Sequence, residues 1–313
     1  MHIFSSETIP SKNQSVTDPI LEASEVFLDV KREDLLHQQV SGNKFRKLKY
    51  NLIEAKKLGY KRVLTFGGAY SNHIAATAAA GKMMGLSTIG VIRGDELGID
   101  ISKTLLENDT LRFASKNDMR FKFVSRTQYR EKTASEFLHQ LKEEFGSFYH
   151  IPEGGTNALA IKGCQEIITS IDDTYDIVCC AVGTGGTISG LINSTKDHQK
   201  VLGFPALKGN FLDEAINAYT SKTNWNLVCD YHFGGYGKVN QELIAFINSF
   251  KDEQQIPLDP VYTGKMLFGI FDMVKKGVFP KNTRILAVHT GGLQGIAGMN
   301  KKLMKKKLPL ITI

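Results

Sequence analysis

Lys44 has the strongest claim to chemistry in this sequence. It lies in Ser41-Gly42-Asn43-Lys44-Phe45-Arg46-Lys47-Leu48-Lys49-Tyr50. Gly42 permits a positive φ and so a tight turn just before the lysine. Phe45, Leu48 and Leu52 recur at helical spacing, which puts Lys44 near the start of a helix. There the positive end of the helix dipole favours a neutral amine. A neutral lysine amine is a nucleophile that forms a Schiff base with an aldehyde cofactor. The competing reading makes Lys44, Arg46, Lys47 and Lys49 a solvated basic face.

Four glycine-containing loops each follow an apolar strand and precede a helix. In Gly183-Thr184-Gly185-Gly186-Thr187, successive backbone N–H groups with a helix start behind them form a nest for one phosphate. The Lys-Ser/Thr ending of a P-loop is absent, and Ile188 occupies the place of the third glycine of a dinucleotide fingerprint. Ser71, Asn72 and His73 open another helix and can hold a carboxylate, or merely cap that helix. Tyr236 and Tyr262, in glycine-flanked loops, are hydroxyl donors for a pocket rim or packed aromatics with wet tips. Thr290 follows an apolar strand, where its hydroxyl can reach a heteroaromatic nitrogen or cap the strand end. His73 and His289 lack metal-ligand spacing, and no metal site is expected. A lysine amine, a nest for one phosphate and a carboxylate anchor together fit pyridoxal 5′-phosphate acting on an amino acid.

Such a site requires parallel strands whose C-terminal ends share one edge. The sequence predicts strands near 26–30, 63–66, 88–93, 121–124, 175–182, 201–204, 226–229 and 284–288. Helices fall between them, including 50–57, 74–84, 134–145, 159–170, 241–250 and 265–275. The first 25 residues are polar and read as a surface wrap. This alternation predicts a helix-covered parallel sheet.

At 313 residues the chain accommodates two domains. Its hydrophobic content of 42% and charged content of 23% suit a globular protein rather than a disordered or membrane-spanning one. The net charge of +7 suits an anionic cofactor. Lys301, Lys302, Lys305, Lys306 and Lys307 lack interleaved aromatics, so no nucleic-acid partner is expected. No apolar run reaches the length of a membrane span, so no membrane partner is expected. Cys164, Cys179, Cys180 and Cys229 read as reduced, buried, small hydrophobes, and the cytoplasm is the expected compartment.

The motifs Ser41–Leu48, Gly67–His73, Glu153–Asn157, Gly183–Thr187, Tyr262–Lys265 and His289–Gly292 occur in one order across residues 26–298. In them the chain resembles the 1-aminocyclopropane-1-carboxylate deaminase and D-cysteine desulfhydrase family. That resemblance implies an α/β, two-domain, fold type II (tryptophan-synthase-β-like) pyridoxal-phosphate enzyme with three-layer α/β/α domains. It implies a larger domain of residues 1–46 and 149–313, a smaller one of 47–148, and a homodimer. Lys44 would carry the cofactor and move the substrate proton. Asn72 would meet the cofactor's phenolic oxygen, Gly183 to Thr187 its phosphate, and Thr290 its ring nitrogen. Ser71, Asn72, His73, Tyr262 and Thr263 would face the substrate, and Ser71, Tyr236 and Tyr262 would join the chemistry. Thr263 and Thr290 are similar to the desulfhydrase pattern, where deaminases have Glu and Leu. The implied reaction is D-cysteine to pyruvate, sulfide and ammonia. Deamination of 1-aminocyclopropane-1-carboxylate to 2-oxobutanoate, or cofactor binding without efficient turnover, are the alternatives. The chain departs from the family at Tyr70, where Gln is usual, and at Ala75, where a basic residue is usual.

Overall fold

The computed structural model describes residues 3–4, 9–209 and 212–313. Among them, ten strands form two sheets. In chain order they are β1 (Asn13–Val16), β2 (Phe27–Lys31), β3 (Arg62–Gly68), β4 (Ser87–Arg93) and β5 (Arg120–Val124), then β6 (Tyr149–Ile151), β7 (Ile177–Val182), β8 (Lys200–Pro205), β9 (Trp225–Leu227) and β10 (Arg284–Val288). The larger sheet has the order β1-β2-β10-β7-β8-β9, parallel except for the β1–β2 pair. The smaller sheet, β5-β4-β3-β6, is wholly parallel.

Parallel strands are covered on both faces, so their sequences carry no polar side. In β7, Cys179 and Ala181 enter a core with Leu267 and Ile270 of helix Thr263–Lys275. Val178, Cys180 and Val182 enter the opposite core with Ile188 and Leu191 of helix Gly186–Ser194. In the smaller sheet, Val63 packs with Phe45, Leu48 and Leu52 of helix Asn43–Lys57, while Leu64 and Phe66 pack with Leu141 of helix Ser135–Phe145. Each sheet is the middle of three layers.

Three departures from the sequence expectation have local causes. The polar segment Asn13–Val16 pairs antiparallel with β2 along the sheet edge, held by backbone bonds rather than an apolar pattern. The three-residue β6 pairs with Val63, Leu64 and Thr65. The smaller sheet therefore includes residues 149–151, which the boundary at 148 assigned to the larger domain. The helix expected to reach residue 170 ends at Gln165, and a separate turn at Ser170–Asp172 follows, capped by the Asp172 carboxylate on the Thr169 N–H at 2.9 Å.

Glycines let the helices that carry the site come unusually close. A Cβ on Gly163 would lie 2.0 Å from the Arg46 carbonyl oxygen, and one on Gly190 would lie 2.4 Å from the Cys164 Cβ. Helix Ala158–Gln165 therefore sits tightly between the lysine helix and helix Gly186–Ser194. Among the described residues no helix is long and apolar enough to cross a membrane.

Candidate active site

Lys44 is the second residue of helix Asn43–Lys57, whose start is set by Gly42 at φ 64°. A Cβ on Gly42 would lie 2.0 Å from the Thr290 carbonyl oxygen, so glycine alone lets the chain cross the end of β10 there. The Asn43 N–H donates to that carbonyl at 3.2 Å. Burial, followed by the positive charge of Lys47, brings the Lys44 amine down to about 7. Much of it is therefore unprotonated and nucleophilic at neutral pH.

The basic residues beside it are not a solvated face. Arg46 makes two bonds to the Glu33 carboxylate, at 2.9 and 2.8 Å, with both side chains buried. Lys49 bonds both oxygens of Glu166 at 2.9 and 3.0 Å. Lys47, one turn beyond Lys44, donates to the Gly154 carbonyl at 3.1 Å and to Thr156 Oγ1 at 3.2 Å. These partners fix the rotation of the helix and leave Lys44 facing a cavity.

Two neighbouring cavities share Lys44, Asn72, Gly183, Thr184 and Tyr262. The narrower one is lined by Gly183, Thr184, Gly185, Thr187 and Thr290, together with Asn43 and Lys47. Gly185, at φ 83°, turns the chain into helix Gly186–Ser194. The first N–H groups of that helix have no intrahelical acceptor. Gly186 lies behind the loop, where a Cβ would meet Thr156 Oγ1 at 2.7 Å and Lys47 Nζ at 3.1 Å. Asn43 Nδ2 donates to Thr187 Oγ1 at 2.8 Å. The nest is thus backed by a lysine cation. The sequence reading assigns Lys47 no role of its own beyond the competing solvated face, although its i+3 spacing from Lys44 marks the same helix face.

Residues in this cavity fit pyridoxal 5′-phosphate. Asn72 Oδ1 is buried without a hydrogen-bond partner, an orphan that a ligand would satisfy. Thr290, 8% exposed, presents a neutral side chain rather than a carboxylate to the same cavity. The glycine loop lines the cavity at the helix start, and Lys44 stands on the same wall.

The wider cavity, of about 590 Å³, is lined by Ser71, Asn72 and His73, the start of helix Asn72–Met83. The Asn72 and His73 N–H groups, as its first two residues, have no intrahelical acceptor. The His73 ring has a different task. Thr65 Oγ1 donates to the Ile151 carbonyl at 2.8 Å, so it accepts from His73 Nε2–H, also at 2.8 Å. Burial, then the charges of Lys44 and Lys47, hold the imidazole well below its usual range and hence neutral. Tyr236 and Tyr262 meet edge to face, with ring centroids 6.1 Å apart. Burial raises both phenols, so each remains protonated.

Thr263 is not part of either cavity. It is fully buried, and its hydroxyl donates to Asp259 Oδ2 at 2.5 Å. Asp259 also accepts from the N–H groups of Val261, Tyr262 and Thr263 at 2.8–2.9 Å. The expected substrate contact is instead part of a helix cap that orients Tyr262. His289 donates through Nε2 to the Pro257 carbonyl at 2.7 Å and accepts the Gly291 N–H at Nδ1, which occupies both nitrogens. Cys164, Cys179 and Cys180 are buried thiols, whereas Cys229 is exposed.

The fold and these paired cavities define a pyridoxal-phosphate enzyme of fold type II. The chain belongs to the pyridoxal-phosphate dependent enzyme family, whose model matches residues 17–291. It is similar to a putative 1-aminocyclopropane-1-carboxylate deaminase of Pyrococcus abyssi, with 32% identity over 299 residues, 88% of this chain and 87% of that one. It is also similar to a D-cysteine desulfhydrase of Klebsiella pneumoniae, with 29% identity over 86% of this chain and 87% of the other. A crystal structure described as an ACC deaminase homologue superposes with a TM-score of 0.80 at 29% identity, covering 96% and 95% of the two chains.

Proposed function

We propose that this enzyme performs β-elimination on a small amino acid, with D-cysteine converted to pyruvate, sulfide and ammonia. Water completes the balance: D-cysteine and one water give one of each product. The observation that carries this reading is Lys44. Its amine, brought down to about 7, lies on the wall shared by the phosphate nest and the helix-start cavity.

Bound pyridoxal phosphate supplies an electron sink for the substrate's α-carbon. The Gly183–Thr187 loop and Lys47 hold its phosphate, Asn72 its phenolic edge, and Thr290 its ring nitrogen. Thr290 brings no negative charge to that nitrogen, which favours elimination over chemistry needing longer carbanion stabilisation. The N–H groups of Asn72 and His73 hold the substrate carboxylate, with the Ser71 hydroxyl beside them. Lys44 Nζ takes the α-proton. The protonated phenols of Tyr262 and Tyr236 supply a proton to the departing thiolate. A small amino acid is the only partner the chemistry needs; the family resemblance implies a homodimer, and the unpaired cysteines suit the cytoplasm.

The test is the visible spectrum of the purified protein and of Lys44→Ala, followed by addition of D-cysteine. A cofactor band lost in the variant, with pyruvate and sulfide in equal amounts from the parent protein, is the expected result. A band without product from D-cysteine, but 2-oxobutanoate from 1-aminocyclopropane-1-carboxylate, would replace this reaction with the one named for the Pyrococcus relative.

A further inference from the structure

The wider cavity carries positive charge that neither the cofactor's phosphate nor the α-carboxylate requires. Arg93, at the end of β4, and Lys302, in helix Gly295–Lys305, line this cavity and also an outer one of about 700 Å³ that opens beside it. The Arg93 guanidinium lies over the Tyr129 ring at 5.7 Å, and the Lys302 ammonium over the Tyr70 ring at 5.3 Å. Among the described residues neither cation has a carboxylate partner.

Three of the four nearby carboxylates are already engaged; Glu107, at the outer cavity, forms no ion pair among the described residues. Glu153 accepts from the Tyr129 hydroxyl at 2.8 Å and lies 3.3 Å from Lys132. Glu96 pairs with Arg126 at 2.7 Å. Asp259 is occupied by the helix cap described above. Five basic side chains against three carboxylates line the outer cavity, so its field is positive. Tyr70 packs against Gly298, where a Cβ would lie 2.6 Å from its ring, so the glycine makes room for the ring beneath Lys302.

We propose that this site selects an amino acid whose β-substituent ends in a second negative charge, received by Arg93 and Lys302. The inference rests on the elimination reading and names its substrate class. For a cysteine thioether the α-proton leaves to Lys44 and the Cβ–S bond breaks with its electron pair on sulfur. One water is consumed, and pyruvate, ammonia and the thiol are released. Arg93 and Lys302 hold the charged end of the departing thiol away from the cofactor.

S-carboxymethyl-cysteine and S-carbamoylmethyl-cysteine are nearly the same size and differ by one charge, which makes them the test pair. With the holoenzyme and each enantiomer, kcat/KM for the charged compound is expected to exceed that for the amide by about tenfold at low ionic strength. The ratio should shrink as salt is added and approach one in Arg93→Gln/Lys302→Gln. Equal kcat/KM for the two compounds, or a ratio unchanged in the double variant, overturns the proposal. Binding of the same pair, read from the bound cofactor's fluorescence, separates the two readings. If neither compound nor D-cysteine is turned over but the charged one binds about tenfold tighter, the elimination reading fails and the charge selection stands. Equal affinities refute the selection.

Discussion

The Lys265 ammonium lies 2.9 Å from the carbonyl oxygen of Gly235, the residue before Tyr236. It makes a second bond of 2.9 Å to the His232 carbonyl, and the side chain is almost wholly buried. The loop it holds has positive φ at Phe233, Gly234, Gly235 and Gly237, so its own backbone preferences do little to keep it in place. Lys265→Met removes both bonds while retaining an unbranched side chain. We expect the cofactor band to persist and kcat to fall about tenfold or more, through displacement of Tyr236. Retention of full kcat would show that the clamp has no part in positioning the tyrosine.

Lys44 gives a pH prediction with a definite sign. Its amine is lowered from 10.5 to about 7, so protonation blocks nucleophilic attack only below that value. In cofactor-free protein, the rate of cofactor loading should rise as pH increases through 7 and level off above about 8. Stopped-flow absorbance reads this directly. A rate still climbing steadily at pH 10 would mean that burial does not lower this amine.

Lys47→Met should weaken pyridoxal 5′-phosphate binding by about tenfold to a hundredfold, as expected for loss of one charge-assisted contact to a phosphate. Binding of pyridoxal, which has no phosphate, should change much less. Equal losses for both ligands would locate the role of Lys47 in its bonds to Gly154 and Thr156 instead.

Thr263→Val conserves shape but removes the hydroxyl between Asp259 Oδ2 and the Asp259 N–H. Loss of these buried bonds should cost about 1–3 kcal/mol, visible as a lower midpoint in chemical denaturation. A fall in kcat should accompany it, because Asp259 also fixes the Tyr262 N–H. Unchanged stability would contradict the cap.

The alternation of strands and helices was legible because glycine loops punctuate apolar runs, and the residues of the phosphate nest are contiguous in sequence. Lys44 and Asn72 were legible for the same reason, since each begins a helix beside a telling loop. What escaped depends on partners distant in sequence. Lys47 owes its orientation to Gly154 and Thr156, more than 100 positions away. The role of Thr263 was hidden because Asp259, four residues earlier, takes its hydroxyl. The edge strand Asn13–Val16 and the three-residue β6 leave too little pattern to read. The bond from His73 Nε2 to Thr65, on β3, was likewise hidden, because its partner lies eight positions earlier on another element.

Phe45, Leu48 and Leu52 belong to the core of the smaller sheet, while the Gly183–Thr187 loop leaves β7 of the larger one. A ligand bonded to Lys44 and cupped by that loop is therefore a rivet across two separately built layers. Loading it couples their unfolding, so the occupied protein should melt in one sharper, later transition. Without the ligand the seam is still closed by helix Ala158–Gln165 packed against the lysine helix, and the empty protein should melt at a lower temperature.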